Sequence, residues 1–359
     1  MHEHAAEIPS EPARELRPGL VSIGLPVYNG ARYLREALDS LLAQDYADFE
    51  VVISDNCSDD ETESICYEFV ARDARVRYHR AGRNAGPTLN FLRAYGLARG
   101  EFFMWAAHDD RRATRCLSLC VEALRRSPRA SMCCVGSRII DEQGRDITDA
   151  VGFKILHPTG ATPRERVSRL ARSTPWLDLY AMFRTPAVNA ARLGLMNLPG
   201  GDVLFTAEVC MRGDVVAIPE PLLEYRFSAR TREQLAEYLG LGGEDAQLSW
   251  LGFAADLLEC VRLAPLAAGE KMALSATVAF DVCLRNATLR RALSAEGFRA
   301  LRRALARGQY GRALWLAALG SVSKAVGLYD RVGDSARYRG GRLLRALPPR
   351  RGTPDGGAG

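Results

Sequence analysis

Three places in this chain put polar or acidic side chains just after short apolar runs. Tyr28-Asn29 follows LVSIGL (Leu20–Leu25) and Pro26; Asp55-Asn56 follows FEVVIS (Phe49–Ser54); Asp109-Asp110 follows FFMWA (Phe102–Ala106), with Ala107-His108 between. A further acid, Asp202, stands after Gly200-Gly201. Carboxylates, amides and a phenol so placed can bind a ligand if the apolar runs are strands ending on one edge. Each also has a plainer reading alone. Acids favour helix N-termini, which suits Asp109-Asp110 as a cap or solvated turn. Asp55 is a common turn residue, and Asp202 suits an N-cap. What separates the readings is whether the surrounding elements bring the residues together.

The elements read as alternating strands and helices. Between the first two apolar runs, Tyr33, Leu34, Ala37, Leu38, Leu41 and Leu42 recur at helical spacing. Asp60 can cap a helix running to about Arg72, Val76–His79 is a short strand, and Leu89–Arg99 is a helix ended by Gly100. After the fourth strand come a helix (Leu117–Arg126), a strand (Ser131–Ser137) and a turn at Asp141–Arg145. The stretch 150–200 is less regular, with Pro158, Pro163, Pro175, Pro186 and Pro199. Asp202–Arg212 reads as a short helix, then Val215–Ile218 and Leu222–Phe227 as strands split by Pro219-Glu220-Pro221. Such alternation predicts an α/β fold, a mainly parallel sheet with helices on both faces. In such sheets ligands bind at the carboxyl ends of the strands, where all three polar pairs fall. No Gly-x-Gly-x-x-Gly follows the first strand, where Pro26-Val27-Tyr28-Asn29-Gly30 stands instead, so a dinucleotide-binding oxidoreductase is disfavoured.

At 359 residues, 47% hydrophobic and 25% charged, the composition is that of a globular chain. Its charge is uneven. Residues 285–359 hold 15 Arg and one Lys against four acids, a net +12, which leaves −7 on the first 284 of a chain carrying +5 overall. The nine Cys include no Cys-x-x-Cys pair and read as reduced thiols, Cys116 and Cys120 as core. Trp105 reads as core packing on the sheet. Residues 1–19 carry charges throughout and do not read as a signal peptide, and no run of about 18 uncharged apolar residues marks a membrane span. The expected organisation is a leader (1–19), an α/β domain (20–230), a basic helical region (231–347) and a disordered end (348–359).

The blocks VSIGLPVYNGARYLREALDSLLAQDY, FEVVISDNCSDDET and FFMWAAHDD, in this order and spacing, resemble the inverting glycosyltransferases of family 2, which have the GT-A fold. The likeness runs from about Val21 to Phe227. It implies a nucleotide-sugar donor, a Mg²⁺ or Mn²⁺ cofactor, and an acceptor that is a saccharide, a lipid-linked sugar or a small molecule. By position, Asp110 would bind the metal and Asp109 the sugar and ribose side of the donor. Pro26, Tyr28, Asn29, Asp55 and Asn56 would line the nucleoside pocket, and Arg83 in Arg83-Asn84-Ala85-Gly86 would add positive charge near the phosphates. Asp202 would be the general base. Two features depart from the family pattern: Asn56 where a second acid is common, and Phe227-Ser228 after Tyr225-Arg226 where many members carry a metal-binding His. These departures keep open a nucleotide-sugar-binding protein that has lost catalysis.

The basic tail (Arg302, Arg303, Arg307, Arg312, Arg331, Arg337, Arg339, Arg342, Arg345) suits a solvated helical face, a dimer interface or a contact with anionic lipid. No nucleic-acid motif accompanies it. The expected setting is the cytoplasm, peripheral at the inner face of the membrane, in cell-surface polysaccharide or glycolipid assembly.

Overall fold

The computed structural model describes residues 15–153, 155–173, 177–197, 200–227 and 250–278. All of these fall within one compact unit, Met1–Asp281. The Arg-rich tail and Ser228 lie outside the described residues.

The elements run β1 (Arg17–Val27), α1 (Ala31–Leu42), β2 (Phe49–Asp55), α2 (Thr62–Arg72), β3 (Val76–Arg80), α3 (Pro87–Gly96), β4 (Gly100–Trp105) and β5 (Arg111–Arg112). They continue with α4 (Cys116–Arg126), β6 (Ala130–Ile140), α5 (Thr148–Val151), α6 (Pro163–Arg172), a 3-10 turn (Leu177–Tyr180), β7 (Met182–Arg184) and α7 (Thr185–Ala190). After a second 3-10 turn (Leu193–Asn197) come α8 (Gly201–Arg212), β8 (Asp214–Arg226), α9 (Trp250–Leu263) and α10 (Ala268–Val278).

One eight-stranded sheet has the order β3-β2-β1-β4-β7-β6-β8-β5. β1 pairs in parallel with β2 and β4, β2 with β3, and β6 with β8. β7 is antiparallel to both β4 and β6, and β5 is antiparallel to β8. Six strands therefore point the same way, and their carboxyl ends share one edge. This is the GT-A architecture, α/β with a mainly parallel sheet. Pro26 lies within β1, opposite Ser54 of β2 but beyond Gly24–Trp105, the last β1–β4 pair.

The expected elements are present, with differences that have local causes. The two strands read on either side of Pro219-Glu220-Pro221 are one strand, β8. The prolines sit at register shifts opposite Val135–Ser137. Gly136 makes this tolerable, because a Cβ there would lie 2.3 Å from the Pro219 carbonyl oxygen. The irregular stretch 150–200 contains α6, started by a capping box. Thr162 Oγ1 accepts from Glu165 N, the Glu165 carboxylate accepts from Thr162 N, and Pro163 follows the cap. The short strand β7 in the same stretch had no sequence signal. At three residues it is too short for periodicity to show.

The core is two-sided. On one face Val21, Ile23, Leu25, Leu34, Leu38, Val51 and Ile53 pack with α1, α2 and α4. Cys116 and Cys120 are buried in this cluster at 0% and 1% exposure. On the other face Trp105 is fully buried, its ring 4.7 Å from Phe103, 5.9 Å from Phe183 and 5.5 Å from Phe205 of α8, centroid to centroid. Its Nε1 donates to the Phe91 carbonyl, so the indole dipole is satisfied. α9 and α10, which the sequence assigns to the helical region behind the catalytic domain, pack on α8 and α6 inside the same unit. Arg164 of α6 donates to Thr277 of α10. Among the described residues no helix is long and apolar enough to cross a membrane. Because Trp105 joins β4 to α8, Trp105→Ala should cost about 3–5 kcal/mol. Urea denaturation of the variant checks this, and a loss below about 1 kcal/mol would contradict the packing described.

Candidate active site

The carboxyl edge carries two bonded groups of side chains. The first joins β1, β2 and the loop 83–86. Asn29 adopts a left-handed backbone (φ 51°), a conformation asparagine tolerates better than most residues. Its Nδ2 donates to Asp59 Oδ1, its Oδ1 accepts from Asp59 N, and its N–H donates to Ser58 Oγ. Asp60 accepts from Thr62 N and from Ala31 N, so one carboxylate starts both α2 and α1. Tyr28 is 44% exposed at the tip of this edge.

Asp55 lies at the edge but faces inward. It is fully buried: Oδ1 accepts from Ser58 N and Oγ, Oδ2 accepts from the Tyr78 hydroxyl, and the Arg80 guanidinium lies 3.6 Å away. Burial and the Asp55 charge push the Tyr78 phenol well above its usual range. In this conformation Asp55 shapes the turn under the pocket and offers no free oxygen to a nucleoside. Asn56, 2% exposed, is engaged as well. Its Nδ2 donates to Asn84 Oδ1 and the Gly86 carbonyl, and its Oδ1 accepts from Ala85 N. An aspartate could make neither donation. Asn56 therefore has a physical reason of its own: it holds the 83–86 loop against β2. Arg83 is exposed on that loop.

The second group surrounds Asp109-Asp110. Asp110 is 5% exposed. Its Oδ1 accepts from Arg226 N at 2.8 Å, whereas Oδ2 is buried with no hydrogen-bond partner among the described residues. Burial, then the neighbouring Asp109, push its carboxyl up to about 7, against the pull of Arg226 and Arg112. An orphaned carboxylate oxygen in a buried position is costly and calls for a ligand. The two groups touch where Gly30 meets His108. A Cβ on Gly30 would lie 2.6 Å from the imidazole ring.

Arg226, at the end of β8, is the residue that sequence reasoning passed over. It is 5% exposed, and its Nε donates to the Asp109 carbonyl. Its two terminal nitrogens donate to the carbonyls of Asp141 and Glu142 and to Glu36 Oε2 of α1. The guanidinium carbon sits 4.3 Å from the centre of the Tyr33 ring. Glu36 also binds Arg111, which binds Glu224 of β8. The signal was available: a buried aspartate beside a second acid needs a fixed cation, and Tyr225-Arg226 closes the last strand among the described residues.

Asp202 occupies the second position of α8. Gly200, the cap, has φ +72°, and a Cβ there would meet the Phe253 ring of α9 at 2.8 Å, so glycine is required twice over. Burial raises the Asp202 carboxyl above its ordinary value, opposed by backbone N–H groups of the helix start. Asp202 is not bonded to Asp109 or Asp110. The link is indirect, since Phe205 of α8 packs on Trp105 of β4, the strand that leads to the acidic pair.

Residues 22–169 match the family described as Glycosyl transferase family 2. An uncharacterized glycosyltransferase of Rickettsia typhi is 42% identical over 93 residues, 25% of this chain and 27% of that protein. The chondroitin synthase of Escherichia coli is 32% identical over 148 residues, 40% of this chain and 21% of that protein. These matches thus span about a quarter of the relatives' own length. Among solved structures, S. aureus TarS residues 1–349 in complex with UDP-GlcNAc is similar with a TM-score of 0.56 at 18% identity, covering 88% of this chain and 92% of that one.

The Asp110 carboxyl makes stability depend on pH with a definite sign. Held above its ordinary value of 3.8, it keeps a proton in the folded state that the unfolded chain has released. That contribution is complete below about pH 4 and is lost as pH rises towards 7. In chelator, the protein should be less stable at pH 8 than at pH 5, and Asp110→Asn should flatten that slope. Urea midpoints at the two pH values measure it; an unchanged slope in the variant would remove Asp110 as the cause.

Proposed function

We propose that this chain, whose residues 22–169 match glycosyl transferase family 2, moves a sugar from a nucleotide-sugar donor to an acceptor hydroxyl with inversion. The observation that carries the reading is the orphaned Oδ2 of Asp110, buried on the carboxyl edge of the sheet beside a second carboxylate. Hard divalent cations take oxygen ligands and keep several waters, so an Asp110 oxygen with Asp109 nearby fits Mg²⁺ or Mn²⁺. When bound, such an ion offsets the charge that grows on the diphosphate as the glycosidic bond breaks.

The chain's own groups take the remaining roles. Tyr28 presents its ring to the base, and Pro26 and Asn29 form the edge beneath it. Asp55 and Asn56 act at one remove, by fixing the 55–58 turn and the loop that carries Arg83 towards the phosphates. Asp109 faces the sugar and ribose. Asp202 accepts the proton of the acceptor hydroxyl as that oxygen bonds the anomeric carbon from the face opposite the departing nucleoside diphosphate. Its raised carboxyl makes it a better base than an exposed aspartate. The acceptor is a saccharide, a lipid-linked sugar or a small molecule, in the assembly of a surface polysaccharide or glycolipid. The match to chondroitin synthase supports the polysaccharide reading. We further propose a cytoplasmic enzyme whose basic tail meets the inner face of the membrane or a second copy of the chain.

Thermal stabilisation against nucleoside diphosphates and their sugars, with and without Mn²⁺, tests the donor site. Asp110→Ala should abolish the metal-dependent shift. Asp202→Asn should keep the shift and lower transfer or donor hydrolysis about 10²–10⁴-fold. Transfer at the normal rate in Asp202→Asn would reject that residue as the base. Donor binding without turnover in the unaltered protein would return the chain to a sugar-nucleotide-binding role.

A further inference from the structure

Cys134, His157 and Asp178 take no part in the chemistry above. They come from three separate places: Cys134 from β6, His157 from the segment between α5 and α6, and Asp178 from the 3-10 turn before β7. One ligand atom from each, a thiol sulfur, a ring nitrogen and a carboxylate oxygen, lies within 4.8 Å of the other two. His157 Nδ1 is 3.1 Å from Asp178 Oδ1. Cys134 and Asp178 are buried, at 1% and 4% exposure, and the His157 side chain is 18% exposed. A cavity of about 10 Å³ is lined by all three, with Leu177, Tyr180, Ala181 and Leu223 among its other walls. That is room for about one water-sized atom.

Three groups able to bind metal, gathered at one buried point beside a one-atom cavity, admit two arrangements. In one, Asp178 accepts hydrogen bonds from the thiol and the imidazole, and the cavity serves nothing. In the other, the three point their lone pairs at an ion. The donor set decides which ion. A thiolate, an imidazole and a carboxylate suit Zn²⁺, whereas Mg²⁺ and Mn²⁺ prefer oxygen alone. Three protein ligands leave one position of a tetrahedron for a water, which the cavity fits.

We propose that Cys134, His157 and Asp178 form a zinc site that staples the segment around His157 and the 3-10 turn at Asp178 to strand β6. The site stands independently of the transferase reading and of the hard-cation position at Asp110. It falls where the chain needs it. Strand β7, which bridges the two parallel blocks of the sheet, begins four residues after Asp178 and has three residues of its own. Uptake of Zn²⁺ releases the Cys134 proton to solvent, and His157 offers the ring nitrogen facing the cluster with its proton on the other.

The full chain, stripped with chelator and dialysed against Co²⁺, provides the test. A thiolate-to-cobalt charge-transfer band with intense tetrahedral d–d bands is expected, with about one Zn²⁺ per chain by elemental analysis after reloading and desalting. Cys134→Ser should lose the band, His157→Gln should weaken metal retention about 10-fold or more, and Asp110→Asn should leave both unchanged. Folded wild-type protein with no band and no retained zinc would overturn the proposal. A band that survives in folded Cys134→Ser would overturn it too, since the thiolate would come from elsewhere. If Cys134→Ser does not fold, the wild-type band together with the His157→Gln loss decides.

Discussion

The arrangement of the site depends on one buried cation. Two adjacent aspartates on a strand exit repel each other, and one of them is pressed into the protein where its charge is poorly solvated. Arg226 makes that tolerable. Its backbone N–H binds the Asp110 carboxylate, and its guanidinium grips the Asp109 carbonyl, two carbonyls of the 141–142 turn, Glu36 of α1 and the face of Tyr33. A planar fork with five donors can do this, and a lysine could not. From the end of β8, Arg226 ties together the segment after β4, the turn after β6 and α1. Opposite charge is supplied, yet Asp110 Oδ2 is left without a partner among the described residues. The clamp thus holds the carboxylate in place through its other oxygen and the backbone around it.

A similar economy governs the other half of the edge. Asp55 and Asn56 stand where direct readers of a nucleoside are expected, but their hydrogen-bonding groups are turned on the protein itself. Asp55 organises the turn that begins at Ser58 and holds Tyr78; Asn56 fastens the 83–86 loop. Rigid second neighbours of this kind set the positions of groups that do reach outward, here Tyr28 and Arg83. The cost is modest, because the side-chain oxygens and nitrogen of Asp55 and Asn56 all find partners and the net value of each hydrogen bond is about 1 kcal/mol. The Asp-to-Asn departure at position 56 then follows from the loop's need for two donors.

Asp202 reaches the edge by a different route, on a helix rather than a strand exit. Its placement depends on packing. α8 is buried along most of its length, and Phe205 locks it to Trp105 beneath the acidic pair. Gly200 then lets the chain turn and α9 approach closely. Asp202 therefore belongs to the same compact unit as Asp109 and Asp110, although no hydrogen bond joins it to them.

The sequence by itself determined the alternation of elements and the common edge of the polar pairs, because these rest on local periodicity and on turn chemistry at strand exits. It also located the Gly200-Gly201 hinge, and the capping box of Thr162 and Glu165 was there to be read. Only the tertiary structure decided which of the polar residues face outward. Asp55 is turned inward partly by Ser58, three residues on, but its second oxygen is taken by Tyr78, and Asn56 is held by Asn84, Ala85 and Gly86, all more than twenty residues along the chain, which no local pattern encodes. The same holds for Arg226, more than a hundred residues from the aspartates it secures, and for Cys134, His157 and Asp178, which meet only because β6, the 3-10 turn and the segment between them fold onto one point. Long-range pairing of charged and polar groups is set by the packed core, and the core is a property of the whole chain.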